Sequence, residues 1–399
     1  MTESRVDNVA KRILVLGGGT GGYVAARKLA EAARKQGLDL EVTVVADEPW
    51  HDFRPLYGDV ALGAAVPDEV RASIVDAGRR FGFRVLVDRV TRIDAGERAV
   101  ETEKGGRLGY DYLVVSLGVR YGWEAYPGLD RYGYHNYTLE GATELGKALA
   151  RFKGGRIVLL VPETPHRCGM YPYEAVTQLA ETMKNRGIKA EVVLLTRERT
   201  GKPLAALGTD VSRVWWEKIQ AAGVEMVQHD GNVEVDGERG VVRAGNVEER
   251  YDLLIKVPPS RLPEPLARSE GFQLKQDPRW APVRPRNFRH PDYDDVFMVG
   301  EHSMPPAGLP TAGIPVHFAA DYAADQIISE ITGGYPVAGY AKTMTCVGYW
   351  GTSGYAGTCE IRYDEKEQRN KLYCYTIMTS PIIRLMKEAF YKSWIAAMK

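Results

Sequence analysis

Very few residues in this 399-residue chain have the types and spacing that chemistry requires. Gly17-x-Gly19-x-x-Gly22 lies between the apolar run Arg12-Ile13-Leu14-Val15-Leu16 and an Ala-rich amphipathic stretch from Tyr23 to Lys35. Glycines at that spacing permit a tight strand-to-helix turn, a close approach of pyrophosphate to the backbone, and close packing of helix on strand. The phosphate charge then faces the helix N-terminus, so the segment predicts dinucleotide binding. A ribose-binding acid is expected about 20 or more residues further on. Ala46 occupies its commonest place, so the role passes to Asp47, ahead of Glu48. The other reactive side chains are four cysteines, Cys168, Cys346, Cys359 and Cys374, too few for a disulfide scaffold in so long a chain. No cluster has metal-ligand spacing, and no metal is expected.

The elements around these residues read as alternating strands and helices. A second strand follows at 41–45, and short alternating stretches at 83–87 and 98–102 suggest a small antiparallel excursion. Tyr110-Asp111-Tyr112-Leu113-Val114-Val115-Ser116-Leu117-Gly118 is a strand ending in a glycine turn. A second α/β unit opens at 156–161, continues through the loop carrying Cys168 and a helix over about 172–186, and adds a strand at 190–195. Val296-Phe297-Met298-Val299-Gly300-Glu301 is a strand with an acid at its end, followed by a helix over about 316–330. The stretches 358–363 and 371–376 form a hairpin around a charged turn. It places Cys359 opposite Cys374, as packing residues or, second, a structural disulfide. A final helix covers 381–399. The fold class is α/β, with two Rossmann-like units. Residues 1–120 with 285–335 are expected to form the first, dinucleotide-binding one, 121–284 the second, and 336–399 a C-terminal region.

The loop that opens the second unit, VPETPHRCGMYPYE, has one glycine and three prolines. Proline removes backbone N–H donors, and bulky side chains block pyrophosphate, so no tight NAD(P)H binding is expected.

Three ordered segments carry a resemblance to a family. YDYLVVSLG and DDVFMVGEHS are similar to the FAD segments of the pyridine nucleotide-disulfide reductase superfamily. Cys168-Gly169-x-x-Pro172-Tyr173-Glu174 resembles the CGxAPYE-like motif of sulfide:quinone oxidoreductases and flavocytochrome c sulfide dehydrogenases, and Cys346 in MTCVGYWG falls where they place a second redox cysteine. The resemblance extends to Phe53-Arg54-Pro55 and covers nearly the whole chain. It implies an FAD site at Gly17, Gly19, Gly22, Asp47, Arg54, Gly118, Gly300, Glu301 and Gly313, with Glu301 in place of the usual ribitol-binding Asp. It also implies oxidation of hydrogen sulfide at Cys168 and Cys346, with Cys346 the nearer to the flavin, and proton transfer by Glu174. Electrons would pass through FAD to a membrane quinone. The helix after Gly313 would aim its positive end at the flavin. Departures are instructive. Many relatives have a third cysteine before the CGxAP-like loop, and this chain has none. No cysteine precedes Cys168, so FAD is expected to be non-covalent. Pro310-Thr311-Ala312-Gly313 lacks the family's lysine. His166 and His302 lie near the site and read as packing histidines.

Lys+Arg and Asp+Glu both total 52, so nothing points to nucleic acid as a partner. The N-terminus lacks an apolar leader, and no run is long enough to span a bilayer. PIIRLMKEAFYKSWIAAMK has an apolar stripe at Ile382, Leu385, Met386, Ala389, Phe390, Trp394 and Ala397, with Arg384, Lys387 and Lys392 off it. That pattern suits a helix lying on the cell membrane as a peripheral anchor. Tyr349, Trp350, Tyr355 and Phe390 are the aromatic candidates for a quinone pocket. A homo-oligomer is compatible with the sequence. The alternatives are the flavoprotein subunit of a cytochrome-linked sulfide dehydrogenase, a type II NADH:quinone oxidoreductase, and a flavin-binding redox sensor. The broken second glycine loop disfavours the second of these.

Overall fold

The apolar run before the first glycine turn forms a strand, Lys11–Leu16, whose last four residues are fully buried. It is the middle strand of a five-stranded parallel sheet, in the order Val296–Met298, Tyr112–Val115, Lys11–Leu16, Leu40–Ala46, Arg84–Val87. Helices Thr20–Gln36 and Gly313–Thr332 pack together in the same core, as a parallel sheet requires cover on its faces. The computed structural model describes residues 10–335, 337, 340 and 342–399. Residues 1–9, on which the expected lack of a leader largely rests, lie outside them.

One expectation is corrected here. Arg84–Val87 is not part of an antiparallel excursion; it pairs parallel with Leu40–Ala46, from Thr43 opposite Arg84 to Ala46 opposite Val87. The short crossover helix Ile74–Phe81 delivers it to the sheet edge. Only the second stretch, Ala99–Thr102, is antiparallel, between Val90–Asp94 and Gly106–Gly109.

The second unit is a four-stranded parallel sheet in the order Glu225–Gln228, Ala190–Thr196, Gly155–Leu160, Leu253–Lys256. Helix Tyr171–Asn185 packs against both its strand Ala190–Thr196 and the C-terminal strand Thr343–Trp350.

The C-terminal region is an antiparallel sheet of Thr343–Trp350, Ser353–Asp364 and Arg369–Ser380, followed by helix Pro381–Met398. The Ser380 side chain caps that helix by accepting from the Ile382 N–H. Cys359 faces Cys374 in the register, and of the two alternatives the pair is the disulfide, with Cα atoms 4.0 Å apart. Directly opposed residues on one face of an antiparallel pair are close enough for that bond. The sheet ties the two units together. Met344, Tyr349, Cys359 and Ile361 enter the first core, whereas Trp350 and Tyr355 enter the second.

Candidate active site

The three regions enclose one cavity of about 1800 Å³. Gly17, Gly19, Asp47, Arg54, Gly118, Gly300, Glu301 and Gly313 all line it; Gly22 does not. Gly22 serves packing instead, because a Cβ there would lie 1.8 Å from the Gly17 carbonyl oxygen. A Cβ on Gly19 would meet nothing within 4 Å, so that face of the turn is open to a ligand. Helix Thr20–Gln36 has no side-chain cap at its start, and neither has helix Gly313–Thr332. Both therefore offer free N–H groups where negative charge would sit. An uncapped glycine cradle, a carboxylate at the end of the second strand and a second helix end across the cavity fit FAD.

Arg167, which the sequence reading passed over, sits in this half of the cavity. Its guanidinium pairs with Glu301 at 3.1 Å and with the Tyr121 hydroxyl, and it is mostly buried. Burial works against the charge, yet Glu301 beside it holds the guanidinium ionised.

The loop after Leu160 carries the first thiol. Cys168 adopts φ 57°, a left-handed conformation that non-glycine residues avoid without compensation. Its N–H donates to the Thr311 carbonyl at 2.6 Å, and the Thr311 hydroxyl donates to the His166 carbonyl. These bonds staple the loop to the segment preceding helix Gly313–Thr332. Cys346, in the strand Thr343–Trp350, lines the same cavity, and both are free, half-buried thiols. Burial pushes the Cys168 thiol up to about 12; Glu174 adds to this, while Lys387 and the Tyr171 N–H oppose it. Burial alone pushes Cys346 up to about 11. Burial thus favours the neutral thiol over the thiolate at each position when the pair is reduced.

Glu174 accepts from the Tyr349 N–H at 2.9 Å, and the same oxygen pairs with Lys387. Lys387 is 3% exposed, with its Nζ 3.8 Å from the centre of the Tyr349 ring. It was read as lying off the helix's apolar face, which is so, but it points into the protein. Asp59 shares this buried charge network and is pushed up to about 6, chiefly by burial.

Of the aromatic candidates, Tyr349, Tyr355 and Phe390 line the cavity. Trp350 does not: it is buried against Trp215 and Tyr355 in the second core. Trp394, placed on the exposed stripe, instead turns inward against Phe53 and Tyr23. Its indole N–H donates to His51 Nε2 at 3.2 Å, and His51 Nδ1 lies 2.9 Å from the Gly18 carbonyl. His166 and His302 are buried and held neutral, pushed down to about 4 and about 3 by burial.

Where a nicotinamide nucleotide would need a glycine turn, Glu163 lies just beyond the strand Gly155–Leu160, paired with Arg261 at 2.6 Å and Arg279 at 3.5 Å. The described residues hold no metal-ligand cluster.

The family model of the pyridine nucleotide-disulphide oxidoreductases matches residues 11–301, and the chain belongs to that family. It is an FAD-binding oxidoreductase. Within the family it is similar to the mitochondrial sulfide:quinone oxidoreductase of Mus musculus, 24% identical over 76% of this chain and 68% of the relative. The crystal structure of the sulfide:quinone oxidoreductase of Aquifex aeolicus superimposes with a TM-score of 0.78 at 22% identity, over 98% of this chain and 91% of that one, which is a likeness of fold. The type II NADH:quinone oxidoreductase Ndh of Mycobacterium tuberculosis is 26% identical over 82% of this chain and 74% of its own length.

Proposed function

We propose that the protein oxidises hydrogen sulfide at Cys168 and Cys346 and passes the electrons, through non-covalent FAD, to a membrane quinone. The observation that carries this reading is the meeting of two free thiols from distant segments in the cavity that holds the FAD cradle. Hydrosulfide attacks an oxidised Cys168–Cys346 pair. The S–S bond breaks, one sulfur becomes a persulfide and the other leaves as a thiolate. In this reading the persulfide forms on Cys346 and Cys168 leaves as the thiolate. FAD, when bound, supplies the two-electron acceptor. Glu174, paired with Lys387 beside Tyr349, is the residue assigned to proton transfer.

No helix among the described residues is long and apolar enough to cross a membrane. Ile382, Leu385, Met386 and Phe390 are between 51 and 62% exposed on one face of the last helix. Exposed Tyr373, Tyr375, Ile377 and Met378 lie on the preceding strand. Apolar area of this kind suits a peripheral, monotopic seat on the cell membrane.

The likeness to Ndh makes NADH the rival reductant, and one experiment separates the two. Anaerobic sulfide is expected to bleach the visible flavin band, whereas NADH leaves it unchanged; rapid bleaching by NADH alone reverses the assignment. Cys168→Ser and Cys346→Ser are each expected to abolish sulfide-dependent quinone reduction while FAD absorbance is retained.

A further inference from the structure

The cavity has a second sulfur centre. The Cys359–Cys374 disulfide lines the same wall as Cys346. In the register, Cys346 faces Gly357, and Cys359 lies two residues further along that strand, opposite Met344 on one side and Cys374 on the other. Residues two apart in a strand share a face, so all three cysteines lie on one face of the sheet. Gly357, directly opposite Cys346, has no side chain of its own, and the Tyr355 hydroxyl lies over it, 2.3 Å from where a Cβ would stand. Diagonal neighbours of this kind have Cα atoms about 7–8 Å apart. That exceeds the span of roughly 4.4–6.8 Å across which two cysteines bond. A persulfide on Cys346 is longer than the thiol by one S–S bond of about 2 Å, which extends its reach towards the disulfide.

We propose that the Cys359–Cys374 disulfide takes up the sulfane sulfur formed on Cys346 and carries it as a trisulfide. The inference rests on the two-thiol reading above. In the first step the terminal sulfur of the Cys346 persulfide attacks Cys359 Sγ. The Cys359–Cys374 bond breaks and Cys374 leaves as a thiolate. In the second step that thiolate attacks the bridging sulfur and expels Cys346 as a thiolate, leaving Cys359–S–S–S–Cys374. One negative charge enters and one leaves, and no net oxidation occurs. A further hydrosulfide attacks the central sulfur and frees the Cys359 thiolate. This thiolate attacks Cys374 Sγ, which restores the disulfide and releases hydrodisulfide. The cross-strand pair thus supplies the extra sulfur position that a chain with only two cysteines at its primary centre otherwise lacks, and it clears Cys346 for the next turnover.

The test uses FAD-loaded wild-type protein turning over with sulfide and a water-soluble quinone, quenched in acid and digested without reduction. Mass spectrometry is expected to find the cross-linked Cys359–Cys374 peptide heavier by one sulfur atom, and unmodified when sulfide is omitted. In Cys359→Ala/Cys374→Ala the steady-state rate, relative to the first sulfide-driven flavin bleaching of the same preparation, is expected to fall about tenfold. If sulfide bleaches the wild-type flavin but the peptide gains no sulfur, the relay is overturned and the two-thiol reading stands. An unchanged rate ratio in the double variant overturns the relay as well. If sulfide does not bleach the wild-type flavin at all, both fall.

Discussion

A methyl group on Gly22 collides with the Gly17 carbonyl, whereas one on Gly19 projects into open cavity. Gly22→Ala is therefore expected to lower the unfolding midpoint of the apoprotein. Gly19→Ala is expected to change the unfolding free energy by no more than about 0.5 kcal/mol and to weaken FAD binding, as followed by quenching of flavin fluorescence. At the opposite wall, removing Lys387 strands the Glu174 carboxylate in a largely buried place. Lys387→Met is expected to cost about 3–5 kcal/mol in urea unfolding, and Lys387→Met/Glu174→Gln much less. The glycine turn was readable because its chemistry lies in a local pattern, whereas Cys168, Cys346 and Glu174, which line the same cavity, were singled out by resemblance. Lys387 was not, because its partner is 213 residues away and its own segment reads as a basic amphipathic helix. Arg167 was hidden in the same manner, paired with an acid on a strand-end of the other unit.

Helix Pro381–Met398 has two faces with different tasks. Ile383, Lys387, Tyr391 and Ile395 point inward, and Ile382, Leu385, Met386 and Phe390 point out. Burying one such outer side chain is worth about 1.5–3 kcal/mol. Ile382→Glu/Leu385→Glu is therefore expected to lower partitioning onto liposomes at least about a hundredfold in a co-sedimentation assay, with the rate toward a water-soluble quinone retained. Undiminished sedimentation would remove this face as the anchor. Periodicity marked the outer stripe but not the inward turn of Trp394, since it measures angle and not which neighbour is waiting. The edge strand Arg84–Val87 was misread for a related reason. It is four residues long and only half covered, so its pattern carried no sign of a parallel partner. The Cys359–Cys374 bond was legible as a pairing and not as a bond. Alternation puts two side chains face to face, but it does not say how close they come.

Across the whole molecule, all seven histidines are shifted down, in each case chiefly by burial. His51, His135 and His166 reach about 4, and His302 about 3. The unfolded chain takes up these protons near pH 6.5, whereas the folded chain refuses them until much lower pH. The unfolded state therefore binds more protons in between, and stability is lost as pH falls through that window, by up to about 1.4 kcal/mol per pH unit for each histidine. Urea midpoints are expected to be flat above about pH 7 and to drop steeply towards about pH 5. A flat profile down to pH 5 would contradict the burial of these rings. The two parallel sheets were visible in the order of strands and helices. The single cavity was not, because its walls come from three segments that only the folded chain brings together.

The hydrogen bonds from Trp394 to His51 and from His51 to Gly18 join the last helix to the turn on which the cofactor's phosphates would rest. Two sites connected by so short a chain of contacts bias each other equally in both directions. Fastening the helix in its docked pose is expected to tighten the hold on the flavin, and an empty phosphate turn to loosen the helix. Under the proposed lipid seat, a molecule that leaves the surface is expected to hold its coenzyme less tightly, which flavin retention with and without liposomes would measure.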